Sequence, residues 1–277
     1  MRLVSRGNPD LTPETATTTT VGLVFTPPAI PSFSVAVDFY ETKLTNAIIN
    51  ITYQSDAIQG LCIASAPAYD SNFCTLAIRP ITDVTDPNYT NPAFNMPTEI
   101  RSSPLNAALV KTKGYDLQLD YSFDMAGGQF SVRHLATYQP TNSTLNTPAS
   151  PFYIWAVQPK LMQTTFLSWQ SESWTVALQN RWLSNVSLKT SDNDLNGNTQ
   201  NYEDASLDAF DIVDTTVSKR FAFGDTDVEA FLTVSNLLDE SAPLYPSNSG
   251  IPGLFYPTLG FYDDMGRFFT TGVRVKF

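Results

Sequence analysis

The chain ends on Gly266-Arg-Phe-Phe-Thr-Thr-Gly-Val-Arg-Val-Lys-Phe277, a stretch in which apolar and polar residues alternate. Successive side chains of an extended strand point to opposite sides. Counting in twos, one side receives Phe269, Val273, Val275 and Phe277, and the other receives Arg274 and Lys276. The length suits a tilted strand that crosses a membrane, which needs about 9–11 residues. The alternative for this segment alone is the last strand of a soluble sandwich.

The composition favours alternating strands over membrane helices. The 277 residues are 42% hydrophobic, 12% aromatic and only 16% charged, whereas an ordinary soluble domain is roughly 25% charged. Yet no apolar run reaches the roughly 18 residues that a membrane-spanning helix needs. The net charge of -11 argues against a nucleic-acid partner, because phosphate contacts require clustered Lys and Arg.

Cys62 and Cys74 are the two cysteines of the chain. No further Cys or His lies near them, so they make a poor metal pair. Free thiols are an alternative, but a disulfide that closes one loop in an oxidising compartment fits better. We therefore expect no metal site and no cofactor.

Alternation predicts nine strands along the chain, separated by turn residues. They lie at about 15–26, 33–48, 115–124, 130–138, 161–170, 173–185, 208–221, 227–236 and 266–277. Apolar and polar residues do not alternate regularly over residues 49–106, and no segment has its apolar residues at a convincing helical spacing.

The connections alternate in length. Those after strands one, three, five and seven are short, and those after strands two, four, six and eight are long, near 49–106, 140–160, 186–206 and 237–265. Short periplasmic turns at one end and long extracellular loops at the other are typical of an outer-membrane barrel. The sequence thus predicts an all-β fold, an antiparallel up-and-down transmembrane β-barrel forming one domain over 1–277. Soluble sandwiches do not sort their loops in this way.

Nine strands begin and end at opposite ends of a barrel, whereas bacterial single-chain barrels have an even number. The N-terminus shows no signal-peptide pattern. We therefore expect the sequence to be the C-terminal portion of a longer barrel.

Three motifs resemble one known family. Gly7-Asn-Pro-Asp-Leu-Thr-Pro-Glu-Thr15 resembles the loop-to-strand motif in the second half of TonB-dependent receptor barrels. Val234-Ser-Asn-Leu-Leu-Asp-Glu240 resembles the end of that family's penultimate strand, and Asp264-Met-Gly-Arg-Phe-Phe269 with Phe277 resembles its last strand. The motifs occur in the family's order over the whole chain.

The resemblance implies an outer-membrane receptor of a Gram-negative bacterium that takes up a scarce nutrient. Its partners would be outer-membrane lipid, the barrel-assembly machinery, a small-molecule ligand (siderophore, cobalamin or carbohydrate) and TonB, which acts through a plug domain absent from this sequence. Arg267, Arg274 and Lys276 would line or rim the lumen. Phe269, Val273, Val275 and Phe277 would face lipid and serve as the assembly signal.

Enzymatic and binding-module alternatives have weaker signals. His134 is the sole histidine and lies on the apolar side of a strand, where a wall residue is expected rather than a general base. Asp192, Asp194 and Gly197 lack the closing Glu of a calcium loop. A secreted carbohydrate-binding or adhesin sandwich and a secreted glycoside hydrolase are the rival functions. Loop aromatics are the ligand candidates, Tyr69, Phe73, Tyr245, Phe255 and Tyr256, but no individual ligand-binding residue is assigned.

Overall fold

Nine long strands form the main path of one sheet in a computed structural model of the chain, and each lies beside its predecessor in the sequence. The strands are β1 (Thr15–Phe25), β2 (Phe33–Thr52), β3 (Glu99–Met125), β4 (Gly128–Leu145), β5 (Leu161–Gln170), β6 (Trp174–Leu183), β7 (Phe210–Phe223), β8 (Thr226–Ser235) and β9 (Phe268–Lys276). The structure describes residues 2–53, 56–69, 71, 73–145, 153–154, 158–187, 206–224, 226–246, 255–256, 262–263 and 265–276.

This architecture confirms the predicted all-β, up-and-down order of nine strands. The connections between these strands alternate in length. The short ones span 26–32, 126–127, 171–173 and 224–225, and the long ones span 53–98, 146–160, 184–209 and 236–267. Among the described residues, no helix has both the length and the apolar character needed to span a bilayer.

The long connection expected over 49–106 is shorter at both ends, and the expectation that it lacks regular structure is wrong. β2 continues to Thr52 and β3 begins at Glu99. Between them lie helix α1 (Asp56–Ala64), a 3-10 turn (Cys74–Leu76) and the short helix α2 (Pro92–Asn95).

Short strands that the alternation did not predict extend or accompany the sheet. Arg2–Ser5 pairs in parallel with the first residues of β3, and Ala77–Ile78 pairs antiparallel with the same segment. Tyr153–Ile154 pairs with β4. Two small hairpins stand in the late connections, Val186–Ser187 with Ser206–Leu207 and Tyr245–Pro246 with Phe255–Tyr256.

The register keeps like side chains on one side of the sheet. Residues directly opposite each other in neighbouring strands point the same way, so each row across the sheet has one facing. One row from β4 to β9 reads Val132, Leu167, Leu178, Thr215, Val234 and Phe269. The adjacent row reads Ser131, Ser168, Ala177, Thr216, Thr233 and Thr270. We call the side of the first row the apolar face and the side of the second row the polar face.

The chain forms two compact units. The loop unit comprises residues 1–18, 42–111 and 143–153, and the sheet unit comprises 19–41, 112–142 and 154–277. Both faces, as just defined, belong to the sheet unit.

The turn between β3 and β4 shows why its glycines are needed. Ala126 and Gly127 both have positive φ, of 52° and 71°, as a two-residue hairpin turn of the favoured type requires. A Cβ on the next residue, Gly128, would lie 2.4 Å from the backbone oxygen of Gln170 on β5. The bare Gly128 therefore lets β4 and β5 approach.

We predict that Gly128→Ala destabilises the sheet by about 1–3 kcal/mol, because overpacking against a backbone atom forces a shift of β5. Urea unfolding of the chain in detergent micelles measures the loss. Gly60→Ala in α1 is the matched control, since a Cβ there meets nothing within 4 Å. Equal stability of the two variants would contradict the packing argument.

Candidate functional site

The loop unit has its own hydrophobic core, formed around the cystine. Cys62 and Cys74 are joined by a disulfide with an S–S distance of 2.06 Å. Ile58 and Cys62 lie four residues apart on α1, and so on one side of the helix. They are buried together with Ile51, Leu76 and Ile100. The disulfide thus ties α1 to the 3-10 turn within this core.

Asn95 organises the second half of the same connection. The side chain is fully buried; its Oδ1 accepts from Ile81 N at 2.8 Å, and its Nδ2 donates to Ile81 O and Tyr89 O. Arg79 donates to the carbonyl oxygen of Asn95 at 2.7 Å and to the hydroxyl of Tyr53 at 3.1 Å. Every polar group of this amide is satisfied, which fixes the path of the backbone.

The motif Gly7–Thr15 is tied to neighbouring strands by side-chain amides and a carboxylate. Asn106 accepts from Thr12 N at 2.8 Å and donates to Thr12 O and Asn46 O. Asn8 donates to Pro104 O at 3.1 Å, and Glu14 accepts from the backbone N of Ile48 at 2.7 Å. These bonds give a physical reason for the residue types of the motif.

A groove of about 630 Å³ lies beside this motif within the loop unit. Phe73 and Leu105 supply apolar surface, and Asn8, Asp10 and Asn106 supply polar groups. Two of the candidate ligand aromatics have structural contacts: Phe73 packs on the cystine core, and the ring of Tyr69 lies 5.0 Å from that of Tyr89. The side chains of Tyr245, Phe255 and Tyr256 lie outside the described residues, as do Asp192, Asp194 and Gly197.

Glu99, at the start of β3, joins two arginines. Its carboxylate accepts from Arg101 Nε at 2.8 Å and lies 3.5 Å from Arg6 Nη2. The hydrogen bond from Arg101 is the main reason that the pKa of Glu99 is lowered from its usual value. The Arg101–Glu99 pair is partly buried, and the longer contact of Glu99 with Arg6 is exposed, so that second contact contributes little to stability.

The last strand, β9, carries the predicted site residues on two faces. Phe269 and Val273 lie on the apolar face and are 67% and 64% exposed, and Val275 is exposed beside them. On the polar face, Arg274 donates to Glu229 of β8 at 3.1 Å, and Lys276 lies opposite Asp227.

The two remaining predicted residues of this segment lie outside the strand as described. Arg267 precedes β9; its backbone N donates to Asp239 Oδ1 at 2.9 Å, and its guanidinium lies 3.5 Å from the same carboxylate. Phe277 lies outside the described residues.

The rest of the polar face is rich in paired hydroxyl and charged groups. Ser131 and Ser168 share a hydrogen bond of 2.6 Å, and Thr216 and Thr233 share one of 2.9 Å. Arg133 donates to Asp120 at 2.6 Å. Such groups suit an aqueous surface, where their remaining hydrogen-bonding capacity meets water.

His134 lies on the apolar face and has a local partner. Its Nδ1 is 2.9 Å from the hydroxyl of Thr165, its direct neighbour on β5. No cluster of three metal-ligating side chains occurs within the described ranges. The arrangement of His134 is that of a wall residue with a satisfied hydrogen bond.

The turn after β8 is built by Asn236, which is almost fully buried and has φ of 51°. Asparagine tolerates this left-handed conformation better than most residues. Its side chain accepts from Glu240 N at 2.9 Å and donates to Glu240 O at 2.8 Å. Asp239 of the same turn accepts a hydrogen bond from the backbone N of Arg267. This bond fixes the backbone directly before β9.

A small core near the start of β7 packs part of the late connections. Tyr262 meets Phe210 edge to face, with ring centroids 5.2 Å apart, beside Val186 and Leu207. Burial raises the pKa of Tyr262.

The comparisons with known proteins agree with this geometry. A family model described as TonB dependent receptor-like, beta-barrel, matches residues 2–237. The chain therefore belongs to this family, which consists of receptors and not of enzymes. No curated protein sequence matches the chain.

Solved structures of three receptors share the fold. The ferric enterobactin receptor PfeA of Pseudomonas aeruginosa matches with a TM-score of 0.60 and 14% identity over 98% of this chain and 32% of that one. The siderophore receptor PirA of Acinetobacter baumannii gives 0.60 and 13% over 98% and 33%. The ferripyoverdine receptor of P. aeruginosa gives 0.53 and 14% over 96% and 28%. The chain thus spans about a third of the length of these structures.

We predict that replacing both cysteines by alanine weakens the loop unit. In the chain-entropy model, a disulfide closing a loop of this size contributes about 3 kcal/mol. Limited proteolysis of residues 53–98 should become faster in the variant, and reduction of the unmodified chain should have the same effect. The reducing agent should leave the variant unchanged, and no change on reducing the unmodified chain would refute the prediction.

We predict that Asn236→Ala lowers the free energy of unfolding by about 1–3 kcal/mol, because two backbone groups of Glu240 lose their partner. Asn236→Gly should recover about 1 kcal/mol of that loss, since glycine adopts positive φ without steric cost. Denaturant titration of both variants measures the difference. If the alanine variant is as stable as the glycine variant, backbone strain does not matter at this turn.

Proposed function

We propose that this chain forms nine strands of the barrel of a TonB-dependent receptor in the outer membrane of a Gram-negative bacterium, where the whole protein imports a scarce nutrient. The observation that carries the proposal is the apolar face, whose exposed Phe269 and Val273 have no protein cover within the described residues. Hydrocarbon is the solvent that such a face suits.

The polar face supports an aqueous lumen on the opposite side. Arg274 with Glu229, and Arg133 with Asp120, are charge pairs exposed on that face. Charges are costly on the lipid side of a barrel and tolerated on the lumen side. Arg274 and Lys276 then line the lumen, and Arg267 rims it.

The long connections form the outer, ligand-binding side in this proposal, and the short turns face the periplasm. A ferric siderophore is the proposed class of ligand. Its support is that the similar structures are receptors of ferric enterobactin and ferripyoverdine. The cystine-bound loop unit would present a stiff surface to that ligand, because the disulfide and Asn95 restrict its backbone.

The partners follow from the same proposal. Lipid covers the apolar face, the barrel-assembly machinery recognises β9 with Phe277, and TonB acts through the plug domain of the whole receptor.

Deleting Phe277 should reduce the amount of receptor assembled in the membrane. Unchanged assembly would exclude the role of Phe277 as an assembly signal.

Fractionation of the native cells tests the location. An antibody against this chain should detect the protein in the outer-membrane fraction, with electrophoretic mobility that changes on heating. Detection in the secreted fraction without that change would support the adhesin or carbohydrate-binding alternative instead.

Nutrient uptake tests the ligand class. Deletion of the gene should abolish uptake of one radiolabelled ferric siderophore and leave uptake of labelled cobalamin intact. The reverse result would retain the transport proposal and reject the siderophore.

We predict that Val273→Arg destabilises the chain in lipid vesicles by about 2–4 kcal/mol, the cost of a cation facing the middle of the bilayer. Thr270→Arg is the matched control, because Thr270 lies on the same strand but on the polar face. Urea unfolding from vesicles measures both. A larger loss in the control than in Val273→Arg would reverse the assignment of the two faces.

A further inference from the structure

Lys219 stands out on the apolar face. It lies on β7, in the row that contains Trp174 of β6 and Ala230 of β8, four residues before the strand ends at Phe223. The side chain is half-buried and forms no salt bridge within the described part of the chain. A cation on a face that contacts hydrocarbon is energetically costly unless other groups stabilise the charge.

Two aromatic rings hold the ammonium. Lys219 Nζ lies 4.7 Å from the centroid of the Trp174 ring and 5.1 Å from that of Phe221. Both distances are within the range of a cation–π interaction. The small Ala230 on the other side leaves the lysine free to lean toward the rings.

The position of Lys219 and its two rings along the strands determines which part of a lipid the ammonium can contact. Trp174 begins β6 directly after the short connection 171–173, and Phe221 is near the short connection 224–225. Tryptophan rings at strand ends lie at the level of lipid headgroups. Lysine side chains at that level extend their charge toward the headgroups.

We propose that Lys219, Trp174 and Phe221 bind the phosphate of one anionic phospholipid headgroup at the short-turn rim of the sheet. The rings hold the ammonium in place and contact the glycerol backbone and upper acyl chains, while the ammonium pairs with the phosphate. The inference rests on the proposed function, because it requires the apolar face to be in a bilayer. It goes beyond that function by assigning a specific lipid to a specific place.

The charge pattern argues for an anionic lipid over a zwitterionic one. The chain has a net charge of -11, so nonspecific attraction would not gather anionic lipid. Lys219, which pairs with no carboxylate of the described residues, supplies the complementary charge locally, and a basic residue at a membrane surface attracts anionic lipid measurably.

Quenching of Trp174 fluorescence by brominated lipids tests the proposal. The whole receptor that contains this chain is reconstituted into equimolar phosphatidylcholine and phosphatidylglycerol, with bromine on the acyl chains of one lipid or the other. The Trp174 signal is the difference between the chain and its Trp174→Phe variant. We expect the affinity of this site for phosphatidylglycerol to be about five-fold higher than its affinity for phosphatidylcholine.

Three variants make the outcome specific. Lys219→Met should remove the preference while keeping the packing, and Lys219→Arg should retain it. Lys276→Met is the control, because Lys276 is at the same rim on the polar face, and its preference should equal that of the unmodified chain.

The result separates the two proposals. Equal quenching by both lipids, or a preference that survives Lys219→Met, overturns the headgroup site and leaves the lipid-facing wall intact. Absence of quenching by either lipid means that the apolar face is not in the bilayer, and the proposed function then fails with it.

Discussion

The structure depends on antiparallel backbone pairing in a constant register. Because the side-chain period of a strand is two, a slip of one residue would move every apolar side chain to the polar face. From β4 to β9 the pairing runs without such a slip, so Val132 and Phe269 remain on one side although they lie at opposite ends of the row. The two faces, and any role for them, exist only while that register holds.

Close approach of the strands is maintained by small residues at chosen places. On β9 a Cβ at Gly272 would lie 2.7 Å from the Phe231 ring of β8. The guanidinium carbon of Arg274 is 4.5 Å from the centroid of the same ring. Because Gly272 has no side chain, the Phe231 ring fits beside it and under the guanidinium of Arg274. Arg274 also donates a hydrogen bond to Glu229. Sheet geometry and surface charge are set together by one glycine.

The sequence predicted regular strands well and long-range pairing poorly. β5 was predicted at 161–170 and observed at Leu161–Gln170, because local alternation and turn residues suffice there. The start of β3, residues 99–102, has no such alternation. It is paired with Arg2–Ser5 and, over its first two residues, with Ala77–Ile78, and both partners are distant in sequence. Helix α1 is short and contains Gly60, so its period was too brief to recognise. Likewise, the role of Asn95 depends on carbonyls that only the folded loop brings together.

The disulfide has a chemical consequence for the whole chain. Cys62 and Cys74 are the only two cysteines in the sequence, and they are bonded to each other. The oxidised chain therefore carries no free cysteine thiol, and thiol-directed reagents such as maleimides find no cysteine to modify in it. A single cysteine introduced by mutagenesis would therefore be the one thiol that such a reagent labels in this chain. Its labelling rate would report the environment of that strand position, one residue at a time.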